Sequence, residues 1–332
     1  MREFSPIREV GGAPNQGLRR RLFHAEQTIP RFELTFPSRA ARRFYRLRCR
    51  VPLALKIITA ELLGRIDCWR KPRDLAEARR ITEAIVAGTD LEPRAETIAR
   101  RRLVAERVRE ASFWRARWDR DPVLGADNIH AALAHGRGVI VSFCHLGAFQ
   151  SSIAPLYREA RRVTYIATNR WIVDPPDGSE WGARVEHWRR GLARLDGRIV
   201  RMPGSFDTVR ALLERGEVTM LAFDVPGRMD THFLGKSVML TGGTASLAFQ
   251  TDALVLPLRR ARRGLSIPSE FGAPIDSRDY ADERSLHAAL AAVHEAWILD
   301  RPAALESPGR SGAWEHEARP TGWALPHRAN AA

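Results

Sequence analysis

One segment constrains the fold of this chain more than any other: Val139-Ile-Val-Ser-Phe-Cys-His-Leu-Gly-Ala-Phe-Gln150. Its apolar run, 139–143, reads as a buried strand. The run ends at His145, Gly147 follows, and residues 148–157 read as a helix. A strand without a polar face needs cover on both sides, which helices flanking a parallel sheet supply. A histidine at such a strand's end sits at the mouth of the sheet, where α/β proteins place ligands. The nearby helix N-terminus disfavours a charged imidazole and keeps His145 available as a base. Position 150 is near enough for its side chain to reach back to the same cleft.

From Gly138 onward, strands and helices alternate. Strands are expected at 139–143, 163–167, 199–202, 218–223 and 254–258. Helices are expected at 148–157, 179–195, 206–215, 244–250 and 283–299. The pattern predicts an α/β fold: a mostly parallel central sheet with helices on both faces, plus an N-terminal helical extension. Residues 1–48 read as an irregular basic segment and 49–125 as the helical extension. The α/β domain is expected over 126–306, with a loose tail at 307–332. In the extension, helices are expected at 75–86 and 94–118, the second ended by Asp119-Arg-Asp-Pro122. A short helix at 129–135 follows, capped by Asp127 or Asn128.

The formal net charge is +14, and Lys56, Lys71 and Lys236 are the only lysines. Such a surface attracts anions: a nucleic acid, an anionic membrane or an acidic carrier protein. No helix-turn-helix, zinc-finger or RNP pattern accompanies the charge, so nucleic acid is not an expected partner. No run approaches the length of a membrane span, and Met1-Arg-Glu-Phe-Ser-Pro has no signal-peptide core. A cytoplasmic protein is expected, peripheral attachment to the inner membrane remaining open. The apolar stretch 51–66 suits an interface, with the preceding arginines on lipid phosphates. The preferred reading is a core-facing amphipathic helix packed on the main domain.

Cys49, Cys68 and Cys144 are too few and scattered for a disulfide framework or zinc site, and no metal-ligand spacing stands out. Cys144 adjoins His145 but points to the opposite face of its strand. It reads as a small buried hydrophobe. Ser151 and Ser152 either line the cleft or open the helix. His135, His187 and His294 read as structural, and His232 merits a test because it lies just beyond Arg228.

The stretch His145-Leu-Gly-Ala-Phe-Gln150 resembles the histidine box of the lysophospholipid acyltransferase superfamily, in its lipid A / phosphatidylinositol-mannoside branch. There a histidine is followed, after four residues, by Asp or Glu. The histidine, the Leu-Gly and the spacing are kept, and Gln150 replaces the acid. Similar pieces follow in the family's order across about 129–302. Tyr165-Ile-Ala-Thr-Asn-Arg170 is like a strand ending in an Arg/Asn-rich turn. The stretch from Gly204 to Gly216 is like the helix leading into the second acidic motif. Leu221-Ala-Phe-Asp-Val-Pro-Gly-Arg228 stands where the family shows a pattern close to Asp-Gln-Asp-Ala-Gly-Arg. Phe233-Leu-Gly235 and Gly243-Thr-Ala-Ser-Leu-Ala-Phe-Gln-Thr-Asp-Ala253 complete the likeness, Asp252 replacing a usual Gly.

The resemblance implies an acyltransferase. Its donor would be an acyl thioester of acyl carrier protein or coenzyme A, with no tightly bound cofactor. It implies His145 as general base, Gln150 and Asp224 as its orienting partners, and Arg228, Arg170, Gly147 and His232 on the substrate side. Relatives of this type commonly carry an N-terminal membrane anchor, which this sequence does not display. A soluble acceptor, such as a carrier-tethered intermediate, is therefore open.

The chemistry is coherent. A neutral imidazole takes a proton from a hydroxyl or amine as it attacks the thioester. A carboxylate normally fixes the tautomer and stabilises the imidazolium, and Gln150 has no charge with which to do so. In a Ser-His-Asp triad the acid-to-amide change costs roughly ten-thousand-fold. Asp224, at a strand end on the same sheet edge, either supplies the missing charge or is a turn residue before Pro226-Gly227. The Arg228 fork suits a phosphate, or else is simply solvated. A thioesterase and a non-catalytic acyl binder are the alternative readings.

Overall fold

The computed structural model describes residues 26–27, 39–115, 117–160, 163–168, 180–195, 197–202 and 204–306. Arg170 and the tail 307–332 lie outside the described residues, as does most of the segment before Arg39.

Four helices come first: α1 (Arg39–Arg50), α2 (Leu53–Arg70), α3 (Pro72–Val86) and α4 (Ala95–Phe113). The first replaces the irregular reading over 39–48. Its arginines mask an apolar pattern in which Phe44, Tyr45 and Leu47 recur. The preferred reading of 51–66 also needs correction. α2 does pack on α4, through Ile57, Ala60, Gly64 and Cys68. Its bulkiest apolar residues, however, face outward, with Trp69 85% and Leu62 61% exposed. Close approach explains the small residues, since a Cβ on Gly64 would lie 2.7 Å from the Val104 Cα.

The α4 helix stops at Phe113 rather than 118 because the next segment turns inward. Asp121 is buried there, accepting from Arg115 Nη2 at 2.8 Å and from the fully buried Arg260. What reads as a charged helix stop is a buried ionic anchor. The next helix, α5 (Ala126–Ala134), begins ahead of the expected caps. Left-handed Gly125 (φ 74°) opens it, and the Asn128 amide donates to the Phe271 carbonyl at 3.0 Å instead of capping.

The sheet is built on β3 (Val139–Gly147), β4 (Val163–Thr168), β5 (Arg198–Met202), β6 (Val218–Ala222) and β9 (Leu254–Arg260). These strands are parallel in the order β5-β4-β6-β3-β9. They are the five expected from the sequence. Short strands extend the edges: β1 (Glu26–Gln27) beside β5, then β10 (Ser269–Phe271) beside β9 and β2 (Val123–Leu124) beside β10. The two-residue β11 (Ile275–Asp276) also pairs with β9. A separate antiparallel hairpin, β7 (Pro226–Phe233) with β8 (Lys236–Leu240), follows β6.

Helices cover both faces. On one side, α8 (Phe206–Glu214), α9 (Gly243–Thr251) and α10 (Glu283–Asp300) pack with α3 against Ile140, Cys144 and Leu146. On the other, α5, α6 (Ile153–Glu159) and α7 (Glu180–Arg194) pack with Trp114 and Trp118 against Val139, Val141 and Phe143. Alternate residues of β3 thus feed two separate cores, as the pleat requires. After α9, Asp252 holds a left-handed conformation (φ 53°), the helix-ending geometry that glycine adopts most readily.

Candidate active site

His145 and Asp224 meet because they extend two paired strands. In the β3/β6 ladder Phe143 lies opposite Ala222, and the Phe223 N–H donates to the Phe143 carbonyl at 2.7 Å. Continuing that register brings His145 beside Asp224 at the carboxyl edge of the parallel sheet. Asp224 holds His145 twice. Its Oδ1 is 2.7 Å from the ring Nδ1, and its Oδ2 accepts from the His145 backbone N–H at 2.9 Å. With Nδ1–H directed to a carboxylate, the Nε2 lone pair remains for chemistry.

Beyond Phe143 the strand bulges away from β9, and register resumes only at Gly147 with Arg260. The bulge leaves the His145 carbonyl without a β9 partner. The Glu306 N–H takes it at 2.7 Å, and Leu305 bridges Leu146. Arg109 of α4 lies 4.0 Å from the Glu306 carboxylate. Aromatic rings wall the imidazole: Phe149 stands edge-on at 4.5 Å and Phe143 lies at 6.1 Å between centroids. Neither Glu306, Arg109 nor Phe149 was singled out from the sequence. The first two are remote in the chain, and no local pattern marks them.

Burial on its own would lower the His145 pKa. The Asp224 charge and hydrogen bond, helped by Glu306, outweigh it and raise the value above 6.5. Burial works in the opposite sense on Asp224, but the charge and hydrogen bonds of His145 prevail and hold the carboxyl below its ordinary 3.8. The expected helix-terminus effect on His145 is therefore corrected. Residues 149–151 form a 3₁₀ turn, and α6 starts only at Ile153, so the adjacent carboxylate governs the imidazole.

Gln150 is buried in that 3₁₀ turn, and its carbonyl accepts from Trp188 Nε1 at 3.0 Å. Among the described residues no hydrogen bond joins its side chain to His145. Gly147 has φ 63°, and a Cβ there would fall 1.9 Å from the Arg260 carbonyl oxygen, so backbone geometry demands glycine. Ser151 and Ser152 donate to the Ala148 and Phe149 carbonyls, as residues that open a helical turn do. Cys144 lies in the core, its thiol pushed well up by burial. Arg228 and His232 are exposed on the β7 strand that follows Asp224. Among the described residues neither bonds to His145 or Asp224.

Behind the pair lies a buried polar layer. Ser142 Oγ is 2.9 Å from His294 Nε2, and Thr231 Oγ1 is 2.8 Å from His287 Nε2. Phe223 packs against both imidazoles, with centroids 5.0 and 4.8 Å away. Burial lowers both histidines to about 4, so they stay neutral near pH 7. His187 is likewise buried, its Nε2 3.0 Å from the Phe113 carbonyl. Among the described residues no group of three or more His, Cys, Asp and Glu side chains is placed to hold a metal ion.

The family model for bacterial lipid A biosynthesis acyltransferases matches residues 94–305, well over half of the chain. One similar solved structure is the 1-acyl-sn-glycerophosphate (LPA) acyltransferase PlsC from Thermotoga maritima, at 14% identity and a TM-score of 0.39. That likeness covers 79% of this chain and 99% of the other. No curated protein matches the sequence.

Proposed function

This chain belongs to the bacterial lipid A biosynthesis acyltransferase family, and from that premise we propose a specific acyl transfer at the β3/β6 edge. The donor is a thioester of acyl carrier protein or coenzyme A, and the acceptor is a hydroxyl or amine. His145 Nε2 removes the acceptor proton as the acceptor oxygen or nitrogen attacks the thioester carbonyl carbon. The tetrahedral intermediate collapses, the carbon–sulfur bond breaks, and the imidazolium returns its proton to the departing thiolate. Asp224 fixes the Nδ1–H tautomer and stabilises the transient imidazolium. The observation that carries this reading is the double hydrogen bond from Asp224 to the ring and backbone of His145. Arg228, exposed and four positions beyond Asp224, is suited to an anionic group of a substrate.

The direct test is an intact-mass search for acylated product, using a panel of acyl thioesters with and without candidate acceptors. Acyl transfer requires a mass gain on an acceptor. Release of free acid alone, at the same rate with or without acceptors, would mean hydrolysis.

The base must be neutral to act, so activity rises with pH through the folded-state value of His145, which lies above 6.5. The acid limb of kcat/KM is expected to have its midpoint above 6.5, and Asp224→Asn is expected to move it lower. Stability follows the same pair. The Asp224 contribution is present above the ordinary carboxylate value of 3.8 and is lost as pH falls through the lowered folded value. The His145 contribution is full below 6.5 and is lost as pH rises through the raised one. An acid limb at or below 6.5 in the wild type would contradict the pairing.

Gln150→Glu is expected to reduce activity rather than restore a family pair. The side chain sits in a buried turn, Asp224 already serves His145, and burying a new charge without a partner is costly. Turnover of the variant with the wild-type substrate pair decides the matter, and an increase would overturn the reading.

A further inference from the structure

The segment that ends the domain closes on His145 in a defined register. Leu146 and Leu305 form an antiparallel bridge, and the Glu306 N–H donates to the His145 carbonyl at 2.7 Å. In an antiparallel pair one segment counts up as the other counts down, so Glu306 lies directly opposite His145. Residues opposite each other share a face, with Cβ atoms about 4.5–5.5 Å apart. The leucines show which face is which. Leu146 and Leu305 turn together into the core that holds Ile140 and Cys144. His145 and Glu306 take the other face, where the Phe143 and Phe149 rings wall the imidazole.

Two carboxylates thus serve one imidazole from separate parts of the chain. Asp224 holds Nδ1 and the backbone N–H. Glu306 belongs to the segment alongside, and Arg109 of α4 lies 4.0 Å from its carboxylate. The Arg109 and Glu306 side chains are 11% and 19% exposed, so salt screens their charges weakly. Against the lowering effect of burial, Asp224 and then Glu306 raise the His145 value, and Arg109 opposes them. The other titratable groups around the pair stay neutral near pH 7. Burial pushes the Cys144 thiol and the Tyr165 hydroxyl up, and it lowers His294 to about 4. Position 150 adds no charge, because Gln150 is an amide buried in its own turn.

We propose that Glu306, braced by Arg109, is a positioning residue for the general base: its carboxylate stabilises the imidazolium that forms when His145 takes the acceptor proton. Asp224 fixes the tautomer, and Glu306 restores from a remote part of the chain the charge that Gln150 lacks. Glu306 neither gains nor loses a proton in the step. The proton taken by Nε2 still leaves with the departing thiolate. The pairing rests on the register of the two segments, and its use in catalysis rests on the acyl-transfer reading.

The full chain, carrying isotope-labelled histidine, is titrated by NMR with no donor or acceptor present. The His145 signal is the one that His145→Ala removes. Glu306→Gln is expected to lower the His145 midpoint, and Arg109→Gln to raise it. In Glu306→Gln/Arg109→Gln the midpoint should return toward the wild type, since two opposed charges are removed together. A purely structural fastening would leave it in place, because Glu306→Gln keeps the backbone N–H that holds the strand. With one donor and one acceptor, kcat of Glu306→Gln should fall about two- to fivefold, the scale of a cross-strand pair of opposite charges. KM should change little. An unmoved midpoint in Glu306→Gln, a lowered midpoint in Arg109→Gln, or an unchanged kcat in Glu306→Gln would each overturn the proposal. The titration needs no acyl thioester, so failure of the pairing and failure of acyl transfer are read separately.

Discussion

Asp224→Asn is expected to lower turnover by about 10³- to 10⁴-fold, the upper figure being the cost of the matching acid-to-amide change in a Ser-His-Asp triad. The amide is nearly the same size, so the β3/β6 edge should keep its shape. Its oxygen still accepts from the His145 backbone N–H, where Oδ2 now does so at 2.9 Å. Its nitrogen is then turned toward Nδ1 and favours the tautomer with the proton on Nε2, which removes the lone pair that takes the acceptor proton. Gln150→Ala should cost far less, because the Gln150 side chain makes no hydrogen bond to His145 among the described residues. Both variants would be assayed with one donor and one acceptor. A larger loss for Gln150→Ala would return the partner role to position 150 and leave Asp224 as a turn residue.

His145→Ala is expected to reduce turnover at least about a hundred-fold, the low end for a general base. The change also leaves the buried Asp224 carboxylate with its backbone donor but without its imidazole. Such a group costs about 1–3 kcal/mol of stability. The imidazole's charge and hydrogen bonds are what hold that carboxyl below 3.8, so the variant lacks the stability that the pair contributes above this value. Denaturant titrations near pH 5 and pH 8, with circular dichroism as the check on folding, would show this. A folded variant retaining near-wild-type turnover would remove His145 from the mechanism.

The parts of the fold that were legible are those where burial leaves a one-dimensional trace. The five parallel strands read correctly because each carries a short apolar run, and the central β3 is apolar along both faces, a pattern with few rivals. The pairing geometry of His145 with Asp224 was also accessible, since both residues end apolar runs and strand ends of a parallel sheet converge. The β7–β8 hairpin left a weaker mark. Thr231 and Phe233 point in while Arg228, Asp230 and His232 point out, so its period is carried by few apolar side chains. Helix α1 was hidden by its arginines, and the end of α4 by charges that are buried rather than solvated. The 3₁₀ turn that isolates Gln150 could not be read, because a helix and a 3₁₀ turn share their residue preferences. Contacts made by Arg109 and Glu306 arise only when distant segments close on the β3 bulge.

That closure carries a timing consequence. The His145 carbonyl is bonded by the Glu306 N–H, and Leu305 bridges the neighbouring Leu146. Chains are made from the N-terminus, and early segments start folding before later ones exist. Here the histidine strand is synthesised long before the residues that fasten its bulge, with β6, β9 and α10 intervening. The strand end is therefore closed only after nearly all of the domain has emerged. Until then the His145 carbonyl waits for the Glu306 N–H, although Asp224, which holds the imidazole, has already been made.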